Sequence, residues 1–133
     1  MPTATADDLA GIPLFDSLDT NARAAIAPWF ELEDVSAGAK LIGEGASGYS
    51  FFVLVVGTAT VTINGVEVRA LGPGDFFGEL AILGDGQRTA TVTTTSPSQV
   101  LELFGTEFRQ LQQEHPEIAA TIESNLREIA RAA

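Results

Sequence analysis

The stretch Leu71-Gly-Pro-Gly-Asp-Phe-Phe-Gly-Glu-Leu-Ala-Ile-Leu-Gly-Asp-Gly-Gln-Arg-Thr-Ala-Thr-Val92 is the most informative part of this 133-residue sequence. Residues 72–74 predict a tight turn, because glycine adopts positive φ angles without strain and proline fixes the φ before them. Gly78 precedes the short apolar run Leu80–Leu83, which has the length of a single helical turn. The stretch therefore predicts a turn, one turn of helix and a strand over Thr91–Thr94.

The same stretch has the parts of a sugar-phosphate pocket. A glycine-led turn that begins a short helix leaves backbone N–H groups unpaired, and such groups bind anions. Arg88 follows the turn and offers a guanidinium that can hold two phosphate oxygens, while Thr89 adds a hydroxyl. The Glu79 carboxylate can accept a hydrogen bond from a neutral sugar hydroxyl beside the phosphate.

Outward from this stretch, residues 31–104 alternate short apolar runs with closely spaced glycines. The runs Val61-Thr-Ile63 and Val66-Glu-Val68 flank Asn64-Gly65, which is a strong signal for a β-hairpin. Many short strands at this spacing predict a mainly β fold with flanking helices, namely a β jelly-roll barrel.

Helical patterns lie on both sides of the β segment. Asp19 or Thr20 is positioned to cap a helix that Pro28 ends. Thr106 and Glu107 are predicted to open a first C-terminal helix, and Pro116 to open a second. The second has apolar residues at steps of four, four and three, namely Ile118, Ile122, Leu126 and Ile129. We interpret 1–133 as a single domain with an N-terminal helical segment at 7–30, a β-roll at 31–104 and C-terminal helices at 105–133.

Composition excludes several classes of function. The net charge of −11 repels nucleic acid and anionic membranes, so neither is an expected partner. No apolar run is long enough to span a bilayer and the N-terminus lacks a basic signal region, so a cytoplasmic protein is expected. There is no cysteine, and His115, the single histidine, lies outside the β segment. Metal-dependent jelly-roll enzymes and Ser-His-acid catalysts both need histidines that are absent here.

Carboxylates are the remaining candidates for catalysis, and in the sequence they are scattered at predicted turns. We therefore expect no enzyme activity, no metal and no cofactor. A local positive group is still needed to bind an anion in so acidic a chain. Between Glu31 and Phe104 the basic residues are Lys40, Arg69 and Arg88, which singles out the arginine in the glycine-rich stretch.

The order Phe77-Gly-Glu-Leu-Ala81 followed by Arg88-Thr-Ala-Thr-Val92 resembles the phosphate-binding cassette of the cyclic nucleotide-binding domain family. That family includes protein kinase A regulatory subunits, cyclic nucleotide-gated channels and the bacterial catabolite activator protein. The upstream Gly43-Glu-Gly-Ala-Ser-Gly48, Phe51-Phe-Val-Leu54 and Gly57 resemble its first strands and turn. The resemblance extends over roughly residues 10 to 130.

The resemblance implies a role for each matching residue. Arg88 would bind the cyclic phosphate with Thr89 and the backbone of Ala90 beside it, and Glu79 would bind the ribose 2′-hydroxyl. The remaining ligand-binding residues it implies are Gly78, Leu80 and Ala81 in the cassette, with Val61 and Phe77 against the base. Three arginines are weaker candidates for base contacts, namely Arg69 in a strand and Arg127 and Arg131 in the last helix.

The function implied by the resemblance is a cAMP sensor, with cGMP as the alternative ligand, whose C-terminal helix moves over the base as a lid. An effector domain, or a second copy joined through that helix, would receive the signal. One alternative is a degenerate member that acts as a protein-interaction module without nucleotide. Another is a DNA-binding regulator of the catabolite-activator type. This chain is too short and too acidic to contain its helix-turn-helix, but it could be the sensor half of such a regulator.

Overall fold

The computed structural model describes residues 3–43, 50–78 and 90–132. The described strands are β1 (Glu31–Val35), β2 (Lys40–Ile42), β3 (Ser50–Val56), β4 (Ala59–Ile63), β5 (Val66–Leu71), β6 (Phe76–Phe77), β7 (Thr91–Thr94) and β8 (Ser98–Phe104). The described helices are α1 (Ala6–Leu9), α2 (Thr20–Ile26), α3 (Gly105–Glu114) and α4 (Pro116–Ala132), with 3₁₀ turns at Pro13–Phe15 and Ala27–Trp29.

The strands form two antiparallel sheets that follow the jelly-roll order. The first sheet has the order β1-β8-β3-β6 and the second has the order β2-β7-β4-β5. The predicted mainly β fold with flanking helices is confirmed. Over the described residues, however, the strands make two separate four-stranded sheets rather than one closed barrel.

The first sheet is buried on both faces, and alternate residues of its central strand β3 point to two different cores. Phe51 and Val53 face the helices and pack into a helical core that includes Phe15 and Leu126. The neighbouring residues of β3 point the other way, into an inter-sheet core made of Ile42, Phe52, Leu54, Ala59, Leu71, Phe77, Val92 and Val100. The first sheet thus separates the helices from the interior of the β-roll.

Local turn signals in the sequence are confirmed. Asn64 and Gly65 join β4 to β5 with φ angles of 51° and 79°, as a two-residue hairpin turn requires. Gly74 has a φ of 92°, and the Asp75 N–H donates to the Gly72 carbonyl at 3.1 Å, which closes the turn before β6. The sequence predicts both turns from adjacent residues, and hydrogen bonds with Leu54 of β3 hold the second turn in place as well.

The helix signals are confirmed with small shifts at the ends. Asp19 caps α2, because its Oδ1 accepts from the Ala22 N–H at 2.8 Å. Pro28 lies in the 3₁₀ turn that follows Ile26, and Pro116 is the first residue of α4. The first C-terminal helix opens at Gly105, one residue before the expected Thr106. Among the described residues, no helix is long and apolar enough to cross a membrane.

Helix α4 packs on the N-terminal helical segment. Its residues Ala119, Ile122 and Leu126 are buried in the helical core. On the same helix, the Asn125 Nδ2 donates to the Leu14 carbonyl at 3.1 Å and to the Ser17 Oγ at 2.7 Å. The two ends of the chain are therefore held together by apolar packing and by one amide side chain.

Replacing Asn125 with alanine is expected to lower the free energy of unfolding by about 1–2 kcal/mol, because two hydrogen bonds are lost and the Leu14 carbonyl loses a donor. Urea denaturation would measure the change. Ser124→Ala is the matched control, since Ser124 is the exposed neighbour on the same helix. Equal stability of the two variants would show that the Asn125 contacts do not stabilise the docked helix.

Candidate functional site: the glycine-rich turn between the sheets

The structure describes the two ends of the glycine-rich stretch and the strands around it. Five residues that the sequence assigns to the pocket lie outside the described residues, namely Glu79, Leu80, Ala81, Arg88 and Thr89. Their roles stay predictions. The structure describes four other residues assigned to the pocket, namely Phe77, Gly78, Ala90 and Val61. Their positions show what surrounds the segment that is predicted to bind the ligand.

Strand β6 fixes the entry of the stretch to the first sheet. Phe77 lies opposite Phe52 of β3, and the two rings stack with centroids 5.1 Å apart and planes 14° from parallel. On the other face of the sheet, Phe76 contacts Phe51 with ring centroids 5.8 Å apart. Aromatic contacts on both faces hold this short strand rigidly in place. Phe77 is buried, so it is part of the inter-sheet core as well as a predicted neighbour of the base.

Gly78 follows directly and adopts a left-handed conformation, which the sequence analysis did not predict for it. Its φ is 79° and the residue is buried. A side chain at this φ would be strained. Strand β6 is therefore followed by a residue whose backbone conformation favours glycine.

The exit of the stretch is fixed to the second sheet. Ala90 is half-buried and leads into β7, where Val92 lies opposite Val61 of β4. Val92 is buried in the inter-sheet core and Val61 packs against that core. The glycine-rich stretch consequently connects the two sheets of the roll, with Phe77 and Val61 both belonging to the space between them.

Arg69 lies beside this space at the edge of the second sheet. It is directly opposite Val61 in the β4–β5 pair, so the two side chains leave the sheet on the same face. Arg69 is exposed, and β5 is an edge strand. A bulge at Val61/Thr62 follows this pair. The structure thus places a guanidinium near the rim of the inter-sheet space.

Arg127 and Arg131, the two arginines of the last helix, do not share the position of Arg69 at the edge of the second sheet. The Arg127 Nη2 pairs with the Glu123 Oε1 at 3.1 Å, one helical turn away on the exposed surface. Exposed pairs of this spacing contribute only about 0.3–0.5 kcal/mol. The side chain of Arg131 lies outside the description. The helix bearing both residues packs on the N-terminal segment, so the structure does not bring Arg127 together with Val61 or Arg69.

Comparison with known proteins agrees with this geometry. The model of the family described as "Cyclic nucleotide-binding domain" matches residues 32–115. This chain belongs to the cyclic nucleotide-binding domain family.

Two relatives show the kinds of protein in which this cyclic nucleotide-binding domain occurs. A cAMP-dependent protein kinase regulatory subunit of Eremothecium gossypii is 41% identical over 106 residues, which is 79% of this chain and 23% of that protein. A cyclic nucleotide-gated potassium channel of Rhizobium etli is 36% identical over 114 residues, which is 86% of this chain and 32% of the channel. The chain therefore spans about a quarter to a third of these relatives.

A solved structure extends the similarity to three dimensions. The structure of PKAR CBD2 bound to Sp-2Cl-cAMPS superimposes with a TM-score of 0.80 at 26% identity. The match covers 96% of this chain and 82% of the other. The two-sheet roll with flanking helices is thus the fold of this domain family.

The cyclic nucleotide-binding domain also contains a carboxylate cluster that the sequence analysis missed. Glu31, Glu33 and Glu102 each place one carboxylate oxygen within 4.8 Å of the others. The expectation that carboxylates are scattered at turns is therefore wrong for these three, which lie in strands β1 and β8. The alternation in Glu31-Leu-Glu33 signals a shared face, but only the β1–β8 register places Glu102 opposite Glu31.

The cluster changes the acidity of its members. A hydrogen bond with Glu102, followed by burial and by the charges of Glu102 and Glu31, raises the pKa of Glu33 to about 8. In the first turn of α3, burial is the main cause that raises the pKa of Glu107, and the charges of Glu31 and Glu102 add to it. A proton is thus retained here under conditions in which most glutamates are ionised.

Proposed function

We propose that this domain is a sensor that binds one cyclic nucleotide in the turn that begins at Gly78. In this proposal Arg88 holds the cyclic phosphate, Thr89 and the Ala90 backbone lie beside it, and Glu79 accepts from the ribose 2′-hydroxyl. The observation that most supports it is the buried, positive-φ Gly78 at the end of β6, directly before Glu79-Leu-Ala and upstream of Arg88-Thr-Ala. The proposed ligand is cAMP, with cGMP as the alternative.

The net charge of −11 determines what kind of site can bind an anionic nucleotide in this protein. An anionic ligand is repelled at long range by such a protein, so binding needs a short-range, preorganised positive site. N–H groups at a glycine-led turn and one guanidinium supply such a site without a metal. The kinase regulatory subunit among the relatives is named for its cAMP dependence, and the similar solved structure binds a cAMP analogue, which supports the choice of cAMP.

The proposed output is a movement of the C-terminal helices. Helix α3 begins directly after β8, and α4 packs on the N-terminal segment through the helical core. Ligand capture would reposition Leu80 and Leu83, and the helices would shift between two populated arrangements. We infer that the whole chain, 1–133, acts as one non-catalytic regulatory unit in the cytoplasm. Its partner would be an effector domain or a second copy joined through α4.

Arg69 is expected to influence the choice between the two nucleotides. A guanidinium can donate two hydrogen bonds to guanine O6 and N7, whereas adenine presents a donor in place of O6. Arg69→Ala should therefore lower the affinity for cGMP by about 5- to 150-fold, as expected for the loss of such a pair, and change cAMP affinity much less. Competition titrations with both ligands would measure the ratio.

Lys40→Ala is the matched control for Arg69→Ala, because Lys40 is an exposed cation of the same sheet. It should leave the cGMP-to-cAMP affinity ratio unchanged. An unchanged ratio in Arg69→Ala as well would mean that Arg69 does not contact the base.

A thermal-shift comparison tests the proposed function. The melting temperature is measured with cAMP, cGMP, 5′-AMP and 5′-GMP at equal concentrations. A ligand at about 100 times its Kd stabilises the folded state by about 2.7 kcal/mol, so a cyclic ligand should raise the melting temperature by several degrees. Equal shifts with cyclic and linear nucleotides, or no shift with any, would reject nucleotide sensing and leave an interaction module.

A further inference from the structure

Three carboxylates meet where the first and last strands pair, and a fourth at the start of the C-terminal helices interacts electrostatically with two of them. Glu31 and Glu33 come from β1, Glu102 from β8 and Glu107 from the first turn of α3. Glu31 lies directly opposite Glu102 in the β1–β8 pair. All four side chains are half-buried, so water reaches them only in part. Ionising every member would place four negative charges at one junction.

The hydrogen bond between the Glu33 and Glu102 carboxyl groups needs one proton. Two ionised carboxylates are both acceptors, so the hydrogen bond between Glu33 and Glu102 requires that one of them is protonated. The Ser50 Oγ at the start of β3 donates to the Glu102 Oε2 at 2.5 Å. Over the described residues, no lysine or arginine forms an ion pair with the four glutamates. A proton shared by Glu33 and Glu102 would therefore reduce the negative charge of this junction.

The cluster lies in the same cross-strand row as the proposed ligand turn. Glu31 is opposite Glu102, Glu102 is opposite Phe52, and Phe52 is opposite Phe77, the residue before Gly78. Residues in one row point to the same face of a sheet. Neighbouring strands are about 4.8 Å apart, so the backbone at Glu102 is about 10 Å from that at Phe77. A charge change in the cluster is thus within electrostatic reach of the turn.

We propose that this carboxyl cluster is a proton-operated switch, in which one proton shared by Glu33 and Glu102 joins β1 to β8 beside the start of α3, and its release loosens that junction. The consequence for binding, which rests on the proposed function, is that an anionic nucleotide binds more weakly after the proton has left. The groups that act on Glu33 are Glu31 on its own strand and Glu102 on β8. Glu107 on α3 interacts with Glu31 and Glu102, and the Ser50 hydroxyl on β3 donates to Glu102.

The direction of the pH effect follows from proton linkage. The Glu33 carboxyl has an ordinary pKa of 4.5 when unfolded and about 8 when folded. Between these values the folded state holds a proton that the unfolded state has lost, so raising the pH favours unfolding across this window. The raised pKa of Glu107 acts in the same direction. Stability from the cluster is complete below 4.5 and is lost as the pH rises through about 8.

Glu33→Gln tests the switch on the ligand-free protein, because glutamine keeps a hydrogen-bond donor but cannot ionise. Urea denaturation between about pH 6 and about pH 9, in buffers with EDTA, should show falling stability for the wild type and a much smaller fall for Glu33→Gln, in which Glu107 still titrates. Asp34→Asn is the matched control, since Asp34 is the exposed neighbour on β1 and should keep the wild-type profile. Carbon-13 NMR should detect one glutamate carboxyl titrating near pH 8 that disappears in Glu33→Gln.

Calorimetric titration with cAMP tests whether the proton also affects nucleotide binding. Affinity of the wild type should fall about three- to tenfold between about pH 6.5 and about pH 9, while that of Glu33→Gln stays constant. A constant wild-type affinity alongside a carboxyl that titrates near pH 8 would reject the link to binding. If every glutamate titrates below about pH 5.5, the switch is rejected outright. If cAMP does not bind at any pH, the proposed function fails, and the denaturation and NMR profiles still decide the switch.

Discussion

Replacing Arg88 with alanine is expected to weaken cyclic nucleotide binding by about 30- to 4000-fold and to leave the melting temperature of the ligand-free protein nearly unchanged. Removing one partner of a buried, hydrogen-bonded charge pair costs about 2–5 kcal/mol, which corresponds to that range. The loss should be severe here because the β segment has only two other basic residues, Lys40 and Arg69, and the whole chain is strongly acidic. Calorimetric titration with cAMP and cGMP would measure the loss.

Two further variants separate the geometry of Arg88 from its charge. Arg88→Lys keeps the charge but loses the planar pair of donors, so it should retain part of the affinity. Arg109→Ala removes the same charge from the exposed surface of α3 and should bind almost as the wild type does. If Arg88→Ala and Arg109→Ala bind equally well, the phosphate is not held by Arg88.

Replacing Gly57 with alanine is expected to lower the free energy of unfolding by about 2–5 kcal/mol, the second largest effect that we predict. Gly57 has a φ of 102°, at which an L side chain is strained. A Cβ there would also overlap the Ser98 side chain and approach the Pro97 carbonyl oxygen to 2.8 Å. The carbonyl belongs to the backbone, so it cannot turn away without moving the start of β8. Thermal and urea denaturation would measure the loss.

Gly65→Ala is the control that separates strain from overlap. Gly65 has a φ of 79°, but a Cβ there would meet nothing within 4 Å. Its replacement should therefore cost only the strain of the left-handed conformation, about 1–2 kcal/mol. Equal losses for the two variants would show that the close approach of Gly57 to Ser98 does not matter for stability.

Features that depend on adjacent residues could be predicted from the sequence. The Asn64-Gly65 turn and the Asp19 cap each follow from what a residue and its neighbours allow. The order of motifs around Gly78 and Arg88 also led to the correct family. For the turn and the cap, the deciding residues are adjacent in the sequence.

Features that depend on strand pairing could not be predicted in the same way. The division of the roll into two sheets and the meeting of Glu31 with Glu102 both depend on which strands pair and in which register. Asn125 presents the same difficulty, because its partners Leu14 and Ser17 are more than 100 residues away in the chain. Alternation in β1 shows that Glu31 and Glu33 share a face, but nothing in the local sequence shows what that face meets.

Titration of the wild-type chain with cAMP, cGMP and their linear 5′-monophosphates, followed by calorimetry, is the most direct test of nucleotide sensing. The account predicts saturable binding of one cyclic nucleotide per chain and much weaker binding of the linear forms. No saturation by either cyclic nucleotide at about 1 mM, where a binding free energy of only about −4 kcal/mol would already give half-saturation, would contradict it.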